Sequence, residues 1–204
     1  MRIAMKSRIA APVITVVTLL LSFALTPAIS AETPGLLYGT AGAGSQLVAF
    51  NLKAGTVRVI GATGYPFSMA LTFCRPWGMP YTVTNTFSPA GQLATLDLST
   101  GAATPVGSPL GALGIMGLGC SANGTLYAVG NSVPADPNFN SLYTVDRETG
   151  QVSLIGPTGA SGGYAGGFIM ALDFAPDGTL FGASPSSLYT IDPSTGLATK
   201  VGDF

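Results

Sequence analysis

An all-β repeat fold is what this sequence predicts, and three observations carry that expectation. Four stretches match one another in register: "QLVAFNLKAG" (46–55), "QLATLDLSTG" (92–101), "SLYTVDRETG" (141–150) and "SLYTIDPSTG" (187–196). Aligned on Asn51, Asp97, Asp146 and Asp192, they recur at intervals of 46, 49 and 46 residues. Between them the chain reads as short alternating strands separated by turn signals, with no 3.6-residue apolar period after the first 31 residues. Gly (28) and Pro (15) together exceed a fifth of the 204 residues, which suits strands and turns and suits helices badly. A four-strand unit repeated about every 46 residues describes a β-propeller blade. The expected fold is therefore a β-propeller of about four four-stranded antiparallel blades. Its ring is complete, or else incomplete and open.

The first element is a leader. Arg2, Lys6 and Arg8 form a positive start, "AAPVITVVTLLLSFAL" (10–25) an apolar run, and "AISA" (28–31) a stretch of small residues fit for cleavage. Residues 1–31 are expected to be a signal peptide, which places the mature chain in the periplasm or outside the cell. The run is short and contains Pro12, so it reads as a signal rather than a membrane span, and none is expected in the mature chain. Residues 32–204 then hold the repeats: blade 1 at about 36–64, blade 2 at 68–109, blade 3 at 115–159 and blade 4 at 168–204.

Within a blade, strand A is apolar ("MALTF", "MGLGC", "MALDF"), and a tight turn leads to strand B. The turns "ANGT" and "PDGT" are two-residue hairpin signals, because Asn-Gly and Asp-Gly accept positive φ. Strand C is the repeated stretch above, and strand D ends near glycine ("TVRVIG", "AATPVG", "QVSLIG", "LATKVG"). The count is three A strands and four each of B, C and D. A blade without its A strand leaves a sheet edge, so self-association through that edge is expected.

An up-and-down blade sends its A–B and C–D turns to one face and its B–C loops and D–A links to the other. The first face carries only tight turns. The second carries long, unlike loops such as "GNSVPADPNFN" and "GPTGASGGYAGGF". Binding concentrates on variable loops held by a rigid scaffold. The candidates there are Tyr65, Phe67, Phe87, Asn138, Phe139, Asn140, Tyr164 and Phe168, whose rings and amides suit a protein or glycan ligand. The competing reading makes the aromatics plugs between blades. Asp173, alone among the strand-A positions matched by Thr72 and Gly119, is the one acidic candidate for the central channel.

The repeated turn has two readings as well. A ring of carboxylates from Asp97, Asp146 and Asp192 would bind calcium. An Asx turn would use each carboxylate, or the Asn51 amide, to accept main-chain N–H groups while Gly55, Gly101, Gly150 and Gly196 take left-handed geometry. The second is favoured, because the copies fall once per blade. Cys74 and Cys120 are either a disulfide, which export permits, or two buried thiols.

The chain contains no His, which excludes a Ser-His-Asp triad, a Cys-His pair and His-bound zinc. Five Lys and Arg against nine Asp and Glu remain after residue 31, so no basic patch for nucleic acid exists.

The pattern "LYTID..TG" followed by an apolar strand and "PDGTLFG" resembles bacterial secreted propellers of the WD-like and quinoprotein-like kind, many known only as domains of unknown function. The resemblance covers residues 36–204. The "D..TG" turn is also similar to repeats of quinone-dependent dehydrogenases. Those usually carry a Trp after the turn, whereas the single Trp here, Trp77, lies in an A–B turn. That departure argues against a quinone, and no cofactor or metal is expected. The expected function is a secreted, non-enzymatic binding or scaffold module. The alternatives are a propeller-type enzyme (quinone-dependent dehydrogenase, lactonase or lyase) and a truncated piece of a larger propeller.

Overall fold

The computed structural model describes residues 36–42, 45–85, 91–110, 113–131, 139–160 and 168–204. The expected signal peptide lies outside the described residues, as do Phe87, Asn138 and Tyr164.

Among the described residues, fifteen strands form four antiparallel meanders. Blade 1 holds β1 (Leu36–Ala41), β2 (Gln46–Asn51) and β3 (Thr56–Ala62). Blade 2 holds β4 (Met69–Cys74), β5 (Met79–Thr84), β6 (Gln92–Leu96) and β7 (Ala103–Pro105), with a single 3-10 turn at Arg75–Trp77 between β4 and β5. Blade 3 holds β8 (Gly114–Cys120), β9 (Leu126–Asn131), β10 (Ser141–Val145) and β11 (Val152–Pro157). Blade 4 holds β12 (Ala171–Phe174), β13 (Leu180–Ala183), β14 (Ser187–Ile191) and β15 (Ala198–Asp203). Every neighbouring pair is antiparallel and consecutive in sequence, so the fold is a four-bladed β-propeller. Among the described residues the first blade has three strands, β1 to β3, in the B, C and D positions.

The core lies between blades. Strand side chains alternate, so each sheet offers an apolar face to both neighbours. Cys74, Val83 and Leu93 of blade 2 meet Leu118, Leu126 and Tyr143 of blade 3. Val129 and Leu142 of blade 3 meet Leu172, Leu180, Tyr189 and Ile191 of blade 4. Fully burying one such side chain stabilises by about 1.5–3 kcal/mol, so these layers dominate the cohesion. Small residues bring the inner strands together: a Cβ on Gly117 of β8 would meet the main chain of Ala171 on β12 at 2.9 Å.

The outer strands carry a recurring bulge. The register shifts between Leu47 and Val48, between Leu142 and Tyr143, and between Leu188 and Tyr189, the same place in three repeats. Ile60, Ile155 and Val201 are the extra residues, each just before a glycine. A bulge sharpens the local twist. The chain just beyond β3 and β11 reaches the C–D corner of the following blade. Ala103 N–H donates to the Thr63 carbonyl at 3.0 Å and Ala198 N–H to the Thr158 carbonyl at 2.9 Å. The alternating-turn rule places C–D corners on one face; in the structure they also bind the neighbouring blade.

Candidate functional site

The repeated corners are built alike. Asn51 Oδ1 accepts the amides of Lys53 (3.1 Å) and Ala54 (2.9 Å). Asp97 Oδ1 accepts from Ser99 N–H at 2.7 Å, Ser99 Oγ at 2.6 Å and Thr100 N–H at 3.3 Å. Asp146 Oδ1 accepts from Glu148 and Thr149 N–H, each at 2.8 Å, and Asp192 Oδ1 from Ser194 N–H at 2.8 Å and Ser194 Oγ at 2.6 Å. These bonds favour the ionised form. The Ser99 hydroxyl and amide hold the Asp97 carboxyl down to about 2. Asp146 is lowered by the Thr149 amide, and Asp192 by the Ser194 hydroxyl. Gly55, Gly101, Gly150 and Gly196 all have φ between 64° and 84°. Among the described residues no three His, Cys, Asp or Glu side chains gather as a metal group would require.

On the opposite side, the loop candidates separate. Phe168 and Asn140 are buried. The Phe168 ring lies 5.4 Å from that of the half-buried Phe139. Asn140 is held by its main chain: its N–H donates to Asn131 Oδ1 at 3.0 Å, and its carbonyl accepts the Thr158 N–H at 3.0 Å and hydroxyl at 2.8 Å. Burial of these residues follows from their place at a blade joint, which local sequence does not reveal. Tyr65 is half-buried beside Thr63, whose Oγ1 donates to the Tyr65 carbonyl at 2.9 Å. Phe67 keeps an exposed ring and takes φ of 52°, an uncommon conformation for a bulky residue. Asp173 is exposed, and its Oδ1 accepts the Phe174 N–H at 2.9 Å.

A groove of about 460 Å³ opens at the joint of blades 3 and 4, on the side of the variable loops. Gly159 and Ala160 of the D–A link form one wall, and Ser186, Ser187, Tyr189, Ala198, Lys200 and Asp203 of blade 4 form the rest. Ser187 Oγ donates to Asp203 Oδ1 at 2.6 Å, and Lys200 Nζ lies 2.6 Å from the same oxygen. The bond to Asp203 raises the Lys200 pKa, and the Lys200 ammonium, followed by the Ser187 hydroxyl, lowers that of Asp203. The groove thus offers hydroxyls and a fixed ammonium–carboxylate pair, and Tyr189 at its wall is buried in the core. Sequence reading passed over these residues, because "ASPS" is the shortest B–C loop.

On the tight-turn side, Cys74 and Cys120 form a disulfide that joins the inner strands of blades 2 and 3. Trp77 lies beside it, with Nε1 donating to the Gly124 carbonyl at 3.2 Å and the Arg147 guanidinium 3.9 Å from its ring centre.

No known protein family and no curated protein matches this sequence. Solved structures do match in fold. A chain from a nidogen/laminin complex superimposes with a TM-score of 0.57 at 13% identity, over 82% of this chain and 61% of that one. A putative gluconolactonase gives 0.55 at 12% identity, over 82% and 60%. Mala s 1, the major allergen of Malassezia sympodialis, gives 0.51 at 16% identity, over 84% and 62%. The likeness is one of fold, and this chain spans about three fifths of each. Among the described residues no helix is long and apolar enough to cross a membrane.

Proposed function

We propose that the chain is a secreted, non-enzymatic binding module that takes a polar, hydroxyl-rich ligand such as a glycan at the groove between blades 3 and 4. The observation that carries this reading is the Ser187–Asp203–Lys200 constellation beside Tyr189 in an open groove. A fixed ion pair with adjacent hydroxyls offers oriented donors and acceptors to the hydroxyls of a sugar, while Tyr189 stays buried in the core. The described carboxylates support a binding role, because they serve local bonds. Asp97, Asp146, Asp177 and Asp192 hold turns, Glu148 pairs with Arg147, and Asp173 accepts its own strand's amide. The charged leader before an apolar run supports export, and the repeat resembles those of secreted bacterial propellers.

A lactonase reading is the alternative, favoured by the fold likeness to the putative gluconolactonase. Titration calorimetry against a panel of soluble oligosaccharides, with Lys200→Ala and the packing-conserving Tyr189→Phe as comparators, tests the groove. Binding that both substitutions weaken supports it. Lactone hydrolysis, or a stoichiometric metal or quinone in the native protein, overturns the non-enzymatic reading.

A further inference from the structure

Three joints between consecutive blades share one construction. Gly101 lies against Gly61, Gly150 against the main chain of Val106 and Ser108, and Gly196 against Gly156. A Cβ on Gly61, Gly107 or Gly156 would run into the carbonyl of Thr100, Thr149 or Thr195 in the next blade. Each corner glycine is therefore a plug, and the glycine at or just beyond the end of the preceding outer strand is its socket. All three plugs are buried.

One more plug and one more socket are unjoined. Gly55, the corner of blade 1, is exposed, and no described atom lies within 4 Å of the point where its Cβ would sit. The same space is open at Gly202, which ends strand D of blade 4. The flanking apolar positions agree. Leu37 of blade 1 is 55% exposed, whereas its repeat partners Leu126 and Leu180 are 1% exposed under the preceding blade. On blade 4, Val201 is 57% exposed while Val106 and Ile155 are half-buried, and Leu188 is half-buried while Leu142 is fully covered. Ala171 and Asp173 are exposed where Gly117 and Gly119 are buried.

We propose that these two faces join head to tail between copies of this chain, the blade 4 socket of one copy receiving the Gly55 corner of the next. Every copy carries both halves of a joint that the molecule already makes three times, so the occupant that fits is a second copy. Charge agrees. Residues 36–64 carry Lys53 and Arg58 and no acid, whereas residues 168–204 carry Asp173, Asp177, Asp192 and Asp203 against Lys200 alone. Opposite signs steer the two faces together. The contact is between blade faces rather than between sheet edges, which refines the self-association expected from an open edge. Such a heterologous joint closes a ring when its rotation permits and otherwise propagates.

Sedimentation velocity on the purified protein up to a concentration on the order of 100 μM tests this. The expected result is a mass of two or more copies, weakened by salt. Gly202 is not a left-handed glycine and faces open space, so Gly202→Val should leave the melting curve unchanged while weakening assembly roughly tenfold or more, since a Cβ at each joined socket meets backbone. Leu37→Glu should do the same from the other face. A single-copy mass throughout overturns the proposal, and so does an assembly that neither substitution disturbs. A failed glycan titration would leave it standing, because the groove residues lie at the other joint of blade 4.

Discussion

The Trp77 indole N–H donates to the Gly124 carbonyl at 3.2 Å, from the A–B turn of blade 2 to that of blade 3. Arg147 covers the ring from above. Trp77→Ala should lower stability by about 1–3 kcal/mol, through the lost hydrogen bond and the lost contact. Arg147→Ala should lower it by about 0.5–1 kcal/mol, because it removes only the cation–ring contact. Urea unfolding midpoints at constant slope check both.

Gly156→Ala should destabilise by about 1–3 kcal/mol, since the new methyl meets the Thr195 carbonyl. Gly202→Ala, its counterpart with no neighbour, should stay within about 0.5 kcal/mol. Thermal melts of the two side by side measure the difference that the joint makes.

Asp97 should titrate with a pKa of about 2. Its folded pKa lies below the unfolded value of 3.8, so its contribution is fully present above that value and is lost as pH falls through about 2. The stability gap between the native chain and Asp97→Ala should therefore shrink on acidification through this window. Carboxyl chemical shifts and acid unfolding curves check the two halves of this prediction.

Cys74→Ser with Cys120→Ser should lower stability by about 2–4 kcal/mol, because the bridge closes a long loop in the unfolded chain. Thiol titration of the denatured, unreduced protein should find no free cysteine among the described residues.

Much of the fold was legible because the repeat acts as a ruler. The four copies of the strand-C stretch, read in register, place β2, β6, β10 and β14. The Asx reading of Asp97, Asp146 and Asp192 is local chemistry, so sequence alone pointed to it. Phe168 and Asn140 were harder. Whether an aromatic or amide in a link is exposed depends on which blade packs over it, and nothing adjacent in sequence records that. The groove residues Ser187, Lys200 and Asp203 are distributed over two strands and converge only through the β14–β15 register.

By itself, the sequence determined the strands, the period and the turn chemistry, because each depends on residues near one another in the chain. Tertiary structure alone decided how the blades join. The outer strand of one blade meets the C–D corner of the next, and that encounter spans about one repeat. It buries Gly101, Gly150 and Gly196 and leaves Gly55 exposed, although the four corners carry the same local signal. Identical turns differ only in what stands beside them, and that is a property of packing.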